Sequence, residues 1–287
     1  MRRALKWVIL SGLFLQACHG TSIVWVVSEK GDYVVLAADS REFDDLTQKP
    51  NSDACKVISF DDTVFFASGR PRIPVDGAVP WDSIQTAGGI YKTSEDRDTQ
   101  SLSIAWGKRA MVWFGGQKPS FVKSLTGADG VLVQGGFINF VPNKSPIVFS
   151  QDLVFTDGSP LSPAQLSLNP TSESMGQVGA AGIHNRELVG EFINAETSRA
   201  SKAYGKLKPH KFGKELSYDK EFVRLAVQFV IDNMNDKDKP LVHGPIDVVV
   251  VRRGGIEWVT RKPNCYAQDF HSPKKQSAKK PPAKTMK

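Results

Sequence analysis

The sequence predicts an α+β fold built on antiparallel sheets. Segments typical of strands come first, and helices, more strands, more helices and a final pair of strands follow. Short turns that contain glycine separate several neighbouring strands, which is typical of hairpins and therefore of antiparallel pairing. Helices grouped between such strands are expected on the outer faces of the sheets. A chain of 287 residues can bury a full core.

The first hairpin is the most distinctive stretch of the chain. Two runs rich in β-branched residues, 23–27 and 33–38, flank a polar turn that contains Gly31. The second run ends abruptly in Asp39-Ser40-Arg41, which places an acid and a base at the end of a buried strand. Lys56 begins the next strand, 56–60, seventeen residues after Asp39. A further strand, 63–67, leads to Gly69, where backbone N–H groups can approach a ligand closely.

The middle of the chain contains two predicted helices and four short predicted strands. The helices cover 81–91 and about 100–114, and the strands cover 131–133, 137–141, 147–149 and 153–155. Residues 160–182 are predicted to form a loop, because they combine prolines with a run of small residues at 175–182. This run lacks the Lys-Ser/Thr of a phosphate-binding loop, so a loop at the rim of a site, or plain packing, is the better interpretation.

The last third of the domain repeats the order of helices followed by strands. A helix is predicted over 187–204, and a second one begins with Asp219 as its N-cap and ends near residue 235. Strands at 246–251 and 256–259 then form a hairpin. Lysine, proline and serine dominate from residue 271 onward, so 271–287 is predicted to be a disordered tail.

The net charge of +7 resides at the two ends of the chain. Residues 1–20 carry +3 and residues 271–287 carry +6, which leaves −2 for residues 21–270. A nucleic-acid-binding surface needs basic residues on the folded body. We therefore expect no nucleic-acid partner.

Residues 1–20 are predicted to be a signal peptide, because a basic start precedes an apolar run too short to span a membrane. Two cleavage sites compete. Cleavage after Gly20 would make Thr21 the first residue of a secreted or periplasmic protein, and we favour this interpretation. Alternatively, residues 15–18 form a lipobox, Cys18 is acylated, and the protein is a membrane-anchored lipoprotein.

The two remaining cysteines, Cys55 and Cys265, leave two possibilities open. They form a disulfide in an exported protein, or they are two unrelated buried thiols. The five histidines show no spacing typical of metal ligands, and no cofactor motif is present, so neither a metal nor a cofactor is expected.

The first fifty residues after the leader resemble a known family. The shared features are a Gly-Thr junction at Gly20-Thr21, a hairpin, Ala37-Ala38-Asp39-Ser40-Arg41, and Lys56-Val57-Ile58 before a strand that ends in Ser68-Gly69. This order resembles the catalytic half of a proteasome β-subunit, which is an N-terminal-nucleophile (Ntn) hydrolase. The resemblance covers roughly residues 20–70 and is only topological beyond them. It implies that residues 21–270 form a four-layer αββα sandwich of two mainly antiparallel sheets with outer helices.

The resemblance also implies a catalytic set: Thr21 as nucleophile, Asp39 and Lys56 as its charged partners, and Gly69 as an oxyanion donor. A threonine hydroxyl needs a base, and an N-terminal threonine carries one in its own α-amine, whose ordinary pKa is about 7.7–8.0. The positive charge of Lys56 would lower the pKa of that amine and favour its neutral form. The implied activity is cleavage of an amide or peptide bond through an acyl-enzyme on Thr21.

Two departures from the family favour an alternative function. A serine that assists the amine is expected within 178–182, where this chain has Ala180 and Ala181, and His243 lies near the position of a second expected serine. The alternative is a catalytically inactive binding or assembly module of the same fold, anchored through Cys18. A Ser/His hydrolase that uses His184 or His243 is disfavoured, because no Gly-x-Ser-x-Gly motif is present.

Overall fold

The fold is described by a computed structural model of the chain. The described residues are 21–39, 42–43, 50–51, 55–69, 72–73, 75, 79–126, 130–140, 148–158, 163–182, 185–194, 212–234 and 245–268. The predicted signal peptide and the predicted tail lie outside them.

Two five-stranded sheets, antiparallel throughout, form the centre of the described structure. The first sheet has the order β12-β1-β2-β13-β14, with β1 Ile23–Val27, β2 Tyr33–Ala38, β12 Val178–Ala181, β13 Asp247–Arg252 and β14 Gly255–Thr260. The second has the order β11-β10-β9-β6-β5, with β5 Val57–Phe60, β6 Thr63–Gly69, β9 Val131–Ile138, β10 Val148–Thr156 and β11 Gln165–Glu173. Two-residue strands form two small ribbons, β3 Glu42–Phe43 with β4 Pro50–Asn51, and β7 Arg72–Ile73 with β8 Trp81–Asp82.

Five α-helices are present among the described residues. They are α1 Ser83–Thr93, α2 Thr99–Gly115, α3 Pro119–Leu125, α4 Asn185–Ile193 and α5 Leu216–Met234, and a 3-10 helix covers Pro263–Gln268. The carboxylates of Asp82 and Asp98 accept backbone N–H groups in the first turns of α1 and α2, so both helices begin at side-chain caps.

The buried apolar side chains form three clusters, which show how the elements are layered. Trp25 and Leu36 of the first sheet share one cluster with Phe66 and Ile138 of the second. The other two clusters lie between each sheet and its helices. The second sheet packs against α1, α2 and α3 in one of them, and the first sheet packs against α4 and α5 in the other. The described part of the chain is therefore an α+β fold with two large antiparallel sheets and five α-helices, and it is compatible with a sandwich.

Two predictions for the small-residue segments are wrong. Residues 165–173 and 178–181, predicted as loop, form the edge strands β11 and β12. Gly179 has a packing reason, because a Cβ there would come within 2.3 Å of the Trp25 ring on the neighbouring strand. Likewise, Gly135 does not end a strand but lies inside β9, where the Trp106 ring covers it. Glycine in these strands makes room for an indole ring and does not mark a turn.

Asp219 is not the N-cap of α5, which begins at Leu216. Asp219 lies in the first turn and is buried. Its Oδ2 accepts the hydroxyl of Tyr33 at 2.7 Å, and its carboxylate also accepts the backbone N–H of Gly213. Burial raises the pKa of Asp219, while the bonds from Tyr33 and Gly213 lower it. This residue therefore ties α5 to strand β2.

A disulfide joins Cys55 to Cys265 and resolves the open question about the two cysteines. Cys55 directly precedes the strand region that begins with Lys56, and Cys265 lies in the 3-10 helix after β14. The two residues are 210 positions apart, so the bond closes a loop that contains most of the domain. Constraining so long a loop reduces the entropy of the unfolded chain and stabilises the folded state.

Replacing both cysteines by alanine is expected to lower the free energy of unfolding by about 2–4 kcal/mol, because the unfolded chain gains entropy. Denaturant unfolding of the oxidised wild type and the double variant measures the difference. A reductant should destabilise the wild type by a similar amount and leave the double variant unchanged. Equal stability of the oxidised wild type and the variant would contradict the prediction.

Glu173, the last residue of β11, links the second sheet to the first. Its carboxylate accepts the indole N–H of Trp25 at 3.2 Å. Burial raises the pKa of Glu173 to about 7, although the Trp25 bond and the charge of Arg186 act in the opposite direction. A raised pKa in the folded state means that folding favours the protonated acid, so this contribution to stability is lost as the pH rises from about 4.5 through about 7.

Glu173→Gln should remove this pH dependence, because the amide stays neutral at every pH. Relative to the wild type, the variant is expected to gain stability between pH 5 and pH 8. Denaturant unfolding of both proteins at the two pH values measures the change. A difference in stability that is the same at pH 5 and at pH 8 would show that Glu173 does not titrate in this range.

Candidate functional site

The candidate site contains a fully buried ion pair that joins the two sheets. Asp39 directly follows β2 of the first sheet, and Lys56 directly precedes β5 of the second. Their side chains are 0% and 1% exposed, and Lys56 Nζ lies 2.7 Å from Asp39 Oδ1. A buried charge of either sign is costly without its partner. The structure thus brings together the two charged residues that the sequence singled out.

Asp39 also holds the chain beside Thr21. Its Oδ1 accepts the backbone N–H of Ser22 at 2.7 Å, and its own N–H donates to the carbonyl of Ser22 at 3.0 Å. Thr21 is the preceding residue and is buried, with 2% of its surface exposed. One carboxylate oxygen therefore contacts both the lysine ammonium and the backbone one peptide unit from Thr21.

Gly69 lies at the end of β6, on the strand that pairs with the Lys56 segment. The backbone N–H of Ala67 donates to the carbonyl of Lys56 at 2.9 Å, and Gly69 follows two residues later. Gly69 has a φ of +81°, and a Cβ there would lie 2.7 Å from the carbonyl oxygen of Leu132. Only glycine fits this backbone without strain. Gly69 is thus positioned through the same strand pair as Lys56.

A second lysine–aspartate pair, which the sequence did not single out, lies beside the first. Asp247 begins β13 and pairs in register with Ala38, the residue before Asp39. Its Oδ1 accepts the backbone N–H of Lys262 at 2.8 Å, while Lys262 Nζ lies 3.4 Å from Oδ2 without hydrogen-bond geometry. Burial lowers the pKa of Lys262, and the charge of Lys56 lowers it further. Burial likewise raises the pKa of Asp247, although Lys262 opposes this.

The disulfide lies next to both lysines. Cys55 precedes Lys56, and Cys265 follows Lys262 by three residues, with its N–H donating to the Lys262 carbonyl at 3.1 Å. The covalent bond therefore fixes the segment after β14 against the start of β5.

Gln134 lies where the two sheets meet, close to the same end. Its Oε1 accepts the Ser68 hydroxyl at 3.3 Å and the Gly182 N–H at 3.2 Å. Gly182 directly follows Ala181, which pairs with Ile23 at the start of β1. Gln134 thus connects the backbone beside Thr21 with the residue before Gly69.

Sequence reasoning missed Asp247, Lys262 and Gln134 for different reasons. Asp247 carried a usable signal, because it is an acid directly before a continuous apolar run, as Asp39 is an acid directly after one. Lys262 and Gln134 had none, since a single lysine after a hairpin and a glutamine within a strand are usually solvated.

Arg41, His184 and His243 lie outside the described residues, whereas Ala180 and Ala181 lie in β12 and supply no hydroxyl.

The described residues contain no group of three or more His, Cys, Asp or Glu side chains arranged to hold a metal ion. Within the same ranges, none of the helices combines the length and the apolar character needed to cross a membrane.

Comparison of the sequence with protein-family models and with curated proteins returns no match.

Removing one member of the buried ion pair should destabilise the protein strongly. Lys56→Met leaves the Asp39 carboxylate buried without its ammonium partner, so the free energy of unfolding should fall by about 3–5 kcal/mol. Adding Asp39→Asn in the same chain should recover part of this loss. Denaturant unfolding of the two single variants and the double variant gives the coupling energy.

Lys123→Met is the matched control, because Lys123 forms an exposed pair with Asp157 at 2.8 Å. This variant should lose less than about 1 kcal/mol. A loss for Lys56→Met no larger than that of the control would contradict the burial and pairing described for Lys56 and Asp39.

Proposed function

We propose that the protein is an exported N-terminal-threonine hydrolase that cleaves amide bonds of the peptide type through an acyl-enzyme on Thr21. The observation that supports it best is the buried Asp39–Lys56 pair, bonded to the backbone of the residue that follows Thr21. A buried ion pair adds little to stability compared with apolar residues of similar volume. Buried ionisable groups of this kind cluster at functional sites.

The proposed fold is the four-layer αββα sandwich of the Ntn hydrolases, with residues 21–270 as one domain. The three apolar clusters support this, because one lies between the sheets and the other two lie between each sheet and its helices. The position of the ion pair also supports it, since the pair joins the two sheets next to the start of β1.

The proposed reaction requires that the leader be removed after Gly20. The α-amine of Thr21 then takes the proton of the Thr21 hydroxyl while Oγ1 attacks the amide carbonyl carbon. The N–H of Gly69 stabilises the oxyanion of the tetrahedral intermediate. Collapse breaks the C–N bond, the amine of the leaving group receives the proton, and an ester on Thr21 remains. Water then attacks this ester with the α-amine as base and releases the acid product.

Within this mechanism Lys56 affects the protonation of the Thr21 amine, and Asp39 holds Lys56 and the backbone beside Thr21 in position. The Lys56 ammonium disfavours protonation of a nearby amine, so more of the Thr21 amine is in the base form. Asp39 orients Lys56 and, through the Ser22 N–H, fixes the backbone from which Thr21 projects. The carboxylate thus serves as a positioning group.

Thr21→Ala is the decisive substitution. Cleavage of a panel of fluorogenic peptide amides should fall at least about 10³-fold, because the nucleophile is lost. Thr21→Ser keeps a hydroxyl and an α-amine and should retain measurable activity, so it serves as the control. A Thr21→Ala variant as active as the wild type on every substrate of the panel would refute the mechanism.

Mass spectrometry of the exported protein separates this function from the inactive, lipid-anchored alternative. A chain that begins at Thr21 excludes the acylated Cys18. A peptide epoxyketone, which forms its ring adduct only with a hydroxyl and a free amine on one residue, should label the wild type at Thr21. A chain that begins with acylated Cys18 and takes up no label would favour the binding module.

A further inference from the structure

Four buried charges lie together at the end of the two sheets. Asp39, Lys56, Asp247 and Lys262 are each at most 3% exposed. Asp247 pairs in register with Ala38 on β2, so it stands one residue away from Asp39 on the adjacent strand. Each lysine is close in sequence to one cysteine of the disulfide, because Cys55 directly precedes Lys56 and Cys265 follows Lys262 by three residues.

Burying the Lys262–Asp247 pair costs free energy that the stability of the fold does not require. Each buried charge loses its hydration, and a well-packed apolar pair of similar volume would often serve stability as well or better. Lys262 Nζ lies 3.4 Å from Asp247 Oδ2, and that oxygen receives no hydrogen bond within the described structure. The two side chains are thus in ion-pair contact at a longer distance than the 2.7 Å of the first pair.

The charges that act on Lys262 come from several elements. Asp247 on β13 and Asp39 after β2 favour its ammonium form, whereas burial and the charge of Lys56 before β5 oppose it. Arg261 adds a positive charge that acts on Asp247. The charges of both members of the first pair thus act on the Lys262 ammonium. Because an electrostatic interaction is mutual, the charge of Lys262 acts on that pair in return.

We propose that Lys262 and Asp247 form a second lysine–aspartate pair of the same site, and that they set the electrostatic potential at the Asp39–Lys56 pair. Lys262 raises this potential and Asp247 lowers it. The two residues are positioning residues that touch no substrate. Their effect on catalysis rests on the proposed function, whereas the coupling between the pairs does not.

The coupling can be measured without any substrate. Lysine labelled with ¹³C at Cε gives an NMR signal for Lys262, which Lys262→Arg identifies by its disappearance. Lys56→Met should raise the titration midpoint of Lys262 by about 0.5–1.5 pH units, because a like charge is lost. Asp39→Asn should lower this midpoint by a similar amount. Shifts in opposite directions exclude a general loosening of the site.

The catalytic consequence is a shift of the pH profile. The acidic limb of kcat/KM reports the base of the free enzyme. Lys262→Met removes a positive charge and should move this limb to higher pH by about 0.5–1 unit. Asp247→Asn should move it to lower pH. Lys262→Arg keeps the charge and should leave the limb in place.

The outcomes separate this inference from the proposed function. A wild type that cleaves no amide, combined with a Lys262 titration that responds to Lys56→Met and Asp39→Asn, would refute the hydrolase and keep the coupling. An unchanged Lys262 midpoint in both variants would overturn the inference whatever the activity. Where Lys262→Met fails to fold, the pH limb of Asp247→Asn tests the catalytic consequence. Where Lys56→Met fails to fold, the Asp39→Asn titration tests the coupling, and an unchanged Lys262 midpoint in that variant would overturn the inference.

Discussion

The described structure depends on one interaction at the junction of its two sheets. Asp39 belongs to the first sheet and Lys56 to the second, and neither charge tolerates burial without the other. The 2.7 Å contact therefore fixes how the two sheets meet at this end. Apolar contacts between the sheets, such as those of Trp25 with Phe66, are less directional and tolerate small displacements. The ion pair adds the geometric precision that the apolar layer lacks.

Much of the fold could be predicted from periodicity. Strands β1, β2, β5, β6, β13 and β14 and helices α1, α2 and α5 coincide with apolar patterns whose period is local to the segment. The edge strands β11 and β12 could not, because an exposed edge needs few apolar residues and β12 consists of small residues that accommodate Trp25. β12 pairs with β1, whose residues lie more than a hundred positions away, whereas β11 pairs with the preceding long strand β10.

Part of the candidate site could also be predicted from the sequence. Asp39, Lys56 and Gly69 stand at strand ends, where a polar residue or a glycine breaks an apolar run, and the structure brings the first two into contact. Lys262 is a lysine in a short segment after a hairpin, and nothing local distinguishes it from a solvated one. Only the tertiary arrangement, including the disulfide of Cys265 three residues later, shows that it is buried.

The disulfide has a consequence for the order of assembly during synthesis. Its two cysteines are 210 residues apart, and Lys262 lies just before the second of them. While a chain is still emerging from the ribosome, the segments of β1, β2, β5 and β6 are present early, but two of the four charges near their ends are missing until Asp247 and then Lys262 have been added. The cluster of four buried charges is therefore completed late in synthesis, so a chain truncated before Lys262 contains the residues of β1, β2, β5 and β6 without the full cluster.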